Sequence, residues 1–182
     1  KNFKLTFASN AHIDAAWLWR WIETVEVCKT TFDAVDKMMD KREDFTFTQS
    51  SSVYYEWMEE NAPAVFEKIR NRIKQNRWEI IGGTVVEPDC NLIGGESWAR
   101  QLLYGKNYFR EKFNIDEKYG MNPDSFGYNA NIPMIYANAG IRAFVTQKIG
   151  WNEKTVFPHR LFWWKSQDGS RILSYFPFDY DN

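Results

Sequence analysis

Phe3-Lys4-Leu5-Thr6-Phe7-Ala8-Ser9-Asn10-Ala11-His12-Ile13-Asp14 opens the chain, and the change of pattern inside it decides the fold. Residues 3–8 alternate apolar and polar side chains, which predicts a strand with one buried face. A polar turn follows, and from residue 23 to 40 the apolar residues Val25, Cys28, Phe32, Val35 and Met39 recur at helical spacing with charges between them. That is an amphipathic helix. A strand, a polar turn and a helix make one β/α unit.

The same succession continues along the chain. Residues 45–49 predict a strand that runs into Ser50-Ser51-Ser52, and residues 53–60 and 63–75 two helical pieces, with Pro63 at a helix start. Residues 78–81 predict a strand broken at Gly82-Gly83 and resumed over 84–86. A long helix is expected over 96–113, a short strand around Tyr119 and Met121, a helix over 132–139 stopped by Gly140, and a strand over 143–147. Residues 161–165 and 172–176 flank Gln167-Asp168-Gly169-Ser170 and predict a hairpin. The alternation implies an α/β protein with a mostly parallel sheet and helical crossovers. Polar residues cluster just after successive strands, at 10–14, 49–52, 87–91, 122–124 and 147–148. In such folds the carboxyl edge of the sheet carries the site.

Composition narrows the function classes. With 182 residues, 44% apolar and 26% charged, the chain reads as one globular domain without internal repeats or linkers. A net charge of -1 with dispersed basic residues makes nucleic acid and anionic membrane poor partners. Two cysteines, Cys28 and Cys90, are too few for a disulfide framework or a thiolate zinc site and fit a reducing, cytoplasmic setting. No apolar run reaches the roughly 18 residues of a membrane span. Nine Trp, nine Tyr and fourteen Phe either fill an aromatic core or line a groove.

Among chemistry-bearing residues, His12 and Asp14 stand two apart. In extended chain they leave one face, where an imidazole and a carboxylate can hold a divalent cation. A hydrogen-bonded His beside a turn Asp accounts for the same spacing. Asp124, in Asn122-Pro123-Asp124-Ser125-Phe126-Gly127, is either a third ligand or a turn residue. His159, after Phe157-Pro158, reads as a surface residue.

Four stretches carry a resemblance: NAHIDAAWLW at 10–19, GGTVVEPDCNLIGGESWAR at 82–100, NPDSFGY at 122–128 and AGIRAFVTQKIGWN at 139–152. In this order they resemble glycoside hydrolase family 38, the alpha-mannosidases, and lie nearer the bacterial, archaeal and cytosolic or vacuolar branch than the Golgi branch. The resemblance covers essentially the whole chain. It implies that residues 1–182 are the amino-terminal part of a seven-stranded β/α barrel, an incomplete fragment of a longer catalytic chain whose full-length form is open to homo-oligomerisation.

By the same resemblance His12 and Asp14 match zinc ligands, and Asp124 matches the carboxylate that is both ligand and nucleophile. Trp17 and Phe126 match aromatics around the sugar. Lys148, where Golgi members have Arg, matches a substrate contact, and Tyr180 and Asp181 match a pair in the sugar pocket. No role follows for Glu87 or Asp89. The second zinc-binding His and the acid/base carboxylate are expected beyond residue 182. The implied cofactor is Zn2+ or another divalent cation, which would grip the vicinal hydroxyls of mannose and favour a distorted ring. The implied substrate is a mannose-containing oligosaccharide and the implied reaction retaining, through a glycosyl-aspartate. Two other readings compete. One is a metal-dependent polysaccharide deacetylase-like barrel, which needs a water-activating base and another imidazole. The other is a catalytically inactive structural fragment.

Overall fold

A computed structural model describes residues 7–177. In chain order the elements are β1 (Ser9–Asn10), α1 (Trp21–Lys41), β2 (Phe47–Gln49), α2 (Ser52–Asn61), α3 (Pro63–Lys74), β3 (Trp78–Ile80), α4 (Gly95–Phe113), β4 (Tyr119–Asn122), α5 (Ile132–Asn138), β5 (Ala143–Thr146), β6 (Leu161–Lys165) and β7 (Arg171–Tyr175). The chain divides into two compact units, one ending at Gln49 with Tyr54–Ile80 added, the other comprising Ser50–Val53 and everything from Ile81 onward.

The first unit is a parallel sheet in the order β1-β2-β3, with Phe47 opposite Trp78. α1 and α3 supply its helical cover. Helix α1 turns the expected face inward, burying Val25, Cys28, Phe32 and Met39. Phe32 and Phe47 both meet the Trp78 ring edge-on, at 5.3 and 4.8 Å between centroids. Tyr55, fully buried, accepts the Trp78 indole N–H at 3.0 Å. Asp36 of α1 is buried and paired with Arg72 of α3 at 2.7 Å.

The second unit is a mixed sheet in the order β4-β5-β7-β6, parallel from β4 to β7 and antiparallel between β7 and β6. Its core gathers Trp98 and Leu102 of α4, Ile132 and Tyr136 of α5, Phe144, Ile172 and Phe176. Gly105 is what lets α4 approach the chain before it. A Cβ there would lie 2.5 Å from the Gly83 carbonyl oxygen and 2.6 Å from the Thr84 carbonyl carbon.

The expected β/α barrel is overturned. The described strands fall into two sheets, one parallel and one mixed, and do not close. Two local causes are visible. Strand β3 stops at Ile80 because Gly82 and Gly83 take φ of 100° and 77°, in the left-handed region that no strand uses. The expected resumption over 84–86 is absent: instead the Thr84 and Val85 carbonyls accept the Ser52 and Val53 N–H groups. After β5, a 3-10 turn over Lys148–Gly150 and irregular chain lead straight into the β6–β7 hairpin, with no crossover helix. A hairpin turn reverses direction, so β6 enters antiparallel. The opening strand also shifts: Ser9–Asn10 pairs with β2, Phe7 and Ala8 do not, and residues 3–6 lie outside the described residues.

Candidate functional site

In the first unit the chain leaves β1 and reaches His12 and Asp14 before α1 begins. His12 Nε2 and Asp14 Oδ1 are 3.1 Å apart, with side chains 21% and 35% exposed. The turn that presents them is fixed through its carbonyl groups. Tyr54, buried on α2, donates its hydroxyl to the Ile13 carbonyl. Thr24, fully buried in the first turn of α1, donates to the Asp14 carbonyl at 3.1 Å and accepts the Trp19 indole N–H at 3.0 Å. Two buried hydroxyls therefore hold consecutive carbonyls, and the imidazole and carboxylate project from a constrained backbone. Sequence patterning does not flag Tyr54 or Thr24, because both fall inside expected helices and belong to no motif.

Trp17 lies in the same turn, edge-on to Trp19 at 5.3 Å and two-thirds exposed. Trp21 stacks on Trp57 at 5.8 Å and is itself half exposed.

In the second unit Asp124 stands two residues past β4, and Lys148 two residues past β5, both at the carboxyl ends of parallel strands. Lys148 Nζ lies 3.0 Å from Asp124 Oδ1. The Lys148 side chain is only 5% exposed, so its ammonium needs replacements for water. Besides Asp124 it has the Trp151 ring, 3.9 Å from centroid to Nζ, and the Phe126 ring at 5.7 Å. Those rings meet edge-on at 5.7 Å. A carboxylate and two aromatic faces thus stabilise one buried cation. Trp151 was legible only as the end of the 139–152 motif.

The Asp124 loop is held from beneath. Glu87 Oε1 accepts the Asp124 N–H at 2.6 Å and the Ser125 hydroxyl at 3.2 Å. Asp89 Oδ1 accepts the Asn91 and Leu92 N–H groups at 2.8 Å, closing the turn next to it. Tyr128 donates to the Ser125 carbonyl at 2.7 Å, and burial pushes its phenol up to about 12. Gly127 has φ of 92°, and a Cβ there would meet the Asn91 amide nitrogen at 2.3 Å. So the Glu and Asp to which sequence assigned no role organise this loop.

His12 and Asp14 of the first unit and Asp124 of the second each offer one ligand atom suited to a divalent cation. One imidazole nitrogen and two carboxylate oxygens are a donor set that suits zinc and similar ions. His159 is exposed and lies beside Phe157, in keeping with a surface role. Tyr180 and Asp181 lie outside the described residues. An apolar groove of about 540 Å³ between α4 and α5, lined by Leu102, Leu103, Met134 and Ile135, includes none of these ligand candidates. Among the described residues no helix is long and apolar enough to cross a membrane.

Comparison with known proteins agrees with the residue-level reading. The Glycosyl hydrolases family 38 N-terminal domain matches residues 2–182. Alpha-mannosidase G of Dictyostelium discoideum is 40% identical over 92% of this chain, and alpha-mannosidase 2C1 of Homo sapiens 39% identical over 92%. In each case the chain spans 16% of the relative's length. The crystal structure of an alpha-mannosidase from Enterococcus faecalis V583 superposes with a TM-score of 0.81 at 20% identity, covering 93% of this chain and 19% of that one, a likeness of fold. The chain belongs to glycoside hydrolase family 38.

Proposed function

We propose that this member of family 38 forms part of the catalytic domain of a longer retaining alpha-mannosidase, acting on mannose-containing oligosaccharides with Asp124 as nucleophile. The branch motifs at 82–100 and the lysine at 148 favour the bacterial, archaeal and cytosolic or vacuolar branch, and with it a cytoplasmic setting. What carries the reading is the coexistence, in a family 38 chain, of the paired His12 and Asp14 with an aspartate, Asp124, whose own backbone is clamped. A turn aspartate needs no such support, whereas a nucleophile must meet one carbon atom from one direction.

His12, Asp14 and Asp124 would hold the divalent cation. When bound it would supply Lewis-acid pull on the sugar's hydroxyl oxygens. In the reaction an Asp124 oxygen bonds to the anomeric carbon as the glycosidic C–O bond breaks. The departing oxygen takes a proton from an acid expected beyond residue 182, and water then displaces Asp124 with that residue acting as base. Trp17 and Phe126, both more than half exposed, offer apolar faces to the sugar's C–H groups. Lys148 places a positive charge beside the nucleophile.

A mannoside carrying fluorine at the 2- or 5-position and a good leaving group tests this in the complete protein. Mass spectrometry should find the glycosyl label on the peptide containing Asp124. A turnover-competent enzyme labelled elsewhere, or hydrolysing an N-acetyl group instead, would overturn the reading in favour of a deacetylase-like one.

A further inference from the structure

We propose that Glu87 is a positioning residue for the reaction, setting the attack angle of Asp124 through its backbone; the inference rests on the reading of Asp124 as nucleophile. Glu87 grips the peptide N–H of Asp124 itself at 2.6 Å, and the hydroxyl of the next residue at 3.2 Å, with one and the same oxygen. A charged acceptor makes the N–H bond short and strong. Because Cβ is one bond from the gripped peptide unit, fixing that N–H restricts where the Asp124 carboxylate can point.

A clamp works only if its own base is rigid, and Glu87 stands on a segment fixed from several sides. Ser52 and Val53 donate their N–H groups to the Thr84 and Val85 carbonyls at 3.0 and 3.1 Å. Gln101 of α4 accepts the Val86 N–H at 3.0 Å. Pro88 follows directly, with its fixed φ, and its carbonyl, also 3.2 Å from the Ser125 hydroxyl, shares that group's single hydrogen with Glu87. Thus the loops after β3 and β4 are tied at two successive residues of each, Glu87 and Pro88 on one side and Asp124 and Ser125 on the other. The remaining contacts, Gly127 against Asn91 and Asn122 Nδ2 donating to Cys90 Sγ at 3.2 Å, continue the same seam. Loop stability alone is served by those outer contacts. Within this seam the Glu87 bond reaches the backbone of the residue that reacts.

The test uses the complete protein with an aryl alpha-mannoside, measuring kcat, KM and the thermal midpoint for Glu87→Ala, Glu87→Gln and Asp124→Gly. Glu87→Ala should lower kcat by about 10²-fold, the effect of a displacement of roughly 1 Å at a reacting group, with KM and midpoint close to the parent's. Glu87→Gln keeps an acceptor oxygen at the same reach and should recover most of that loss. If Glu87→Ala does not fold, Glu87→Asp replaces it: Gln should exceed Asp in kcat by about tenfold, since Asp draws the acceptor back by one carbon. Parent-like kcat in Glu87→Ala overturns the inference, and so does a Gln variant no better than Ala or Asp. Asp124→Gly separates the two claims. If it is inactive while Glu87→Ala is not, only the positioning role fails; if Asp124→Gly keeps full activity, the nucleophile assignment fails and the positioning role with it.

Discussion

Replacing Gly105 with alanine sets two opposing effects against each other, and their sizes decide the outcome. In a helix interior alanine is better than glycine by about 1 kcal/mol. Against this, the new methyl would stand 2.5 Å from the Gly83 oxygen, 2.6 Å from the Thr84 carbonyl carbon and 2.9 Å from the Thr84 oxygen. All three are backbone atoms, which cannot rotate aside. Restoring ordinary contact, near 3.5 Å, requires α4 and the 83–84 segment to part by roughly 1 Å. Overpacking of this kind costs about 1–3 kcal/mol, at times more, and the rigid partner puts this site at the upper end. Net destabilisation of about 2 kcal/mol follows, a fall in thermal midpoint of roughly 4–8 °C for a chain of this size. Urea and thermal unfolding would measure it, with Gly95→Ala as the control because a Cβ there meets nothing within 4 Å. A Gly105→Ala variant as stable as its parent would refute the claim that this glycine sets the distance between α4 and the segment bearing Glu87.

Three further outcomes are expected. Asp14→Asn should weaken zinc affinity by at least about tenfold in a calorimetric titration, since an amide is a poorer ligand than a carboxylate; unchanged affinity would remove Asp14 from the ligand set. Asp33 is held down to about 2 by hydrogen bonds from Lys37 and Lys68. Its folded value thus lies below the ordinary one, so its contribution to stability is present above about pH 4 and is lost as pH falls toward 2. Asp33→Asn should flatten the stability profile in that window, and a parent-like slope would contradict the assignment. Burial pushes the Cys28 thiol up to about 12 and raises Cys90. Neither should react with a thiol reagent at pH 8 until urea is added, and modification of both in the native state would show that the cores are open.

Periodicity located the helices because their apolar stripes are long: the residues expected at 23–40, 96–113 and 132–139 form helices over Trp21–Lys41, Gly95–Phe113 and Ile132–Asn138. The carboxyl-edge clusters were legible too, since a strand that ends in polar residues announces a loop. Closure was not. Whether strands join one sheet or two depends on the φ angles of Gly82 and Gly83 and on the hydrogen bonds taken by residues 84–86, and neither leaves a periodic trace. The roles of Glu87 and of the Trp151 face over Lys148 were hidden for a related reason. Both arise from loops far apart in sequence, and no spacing within one motif encodes a bond between two.

The central claim is that Asp124 attacks the sugar, and the variant lacking its side chain tests it most directly. Asp124→Gly in the complete, metal-loaded protein should be inactive on an activated aryl alpha-mannoside, and zinc in excess should not restore it. Added azide, entering the space left by the carboxylate, should attack the anomeric carbon in its place while the aryl oxide departs. One displacement inverts the centre, so the product should be the beta-mannosyl azide. An alpha-mannosyl azide, or full recovery with zinc alone, would contradict the account.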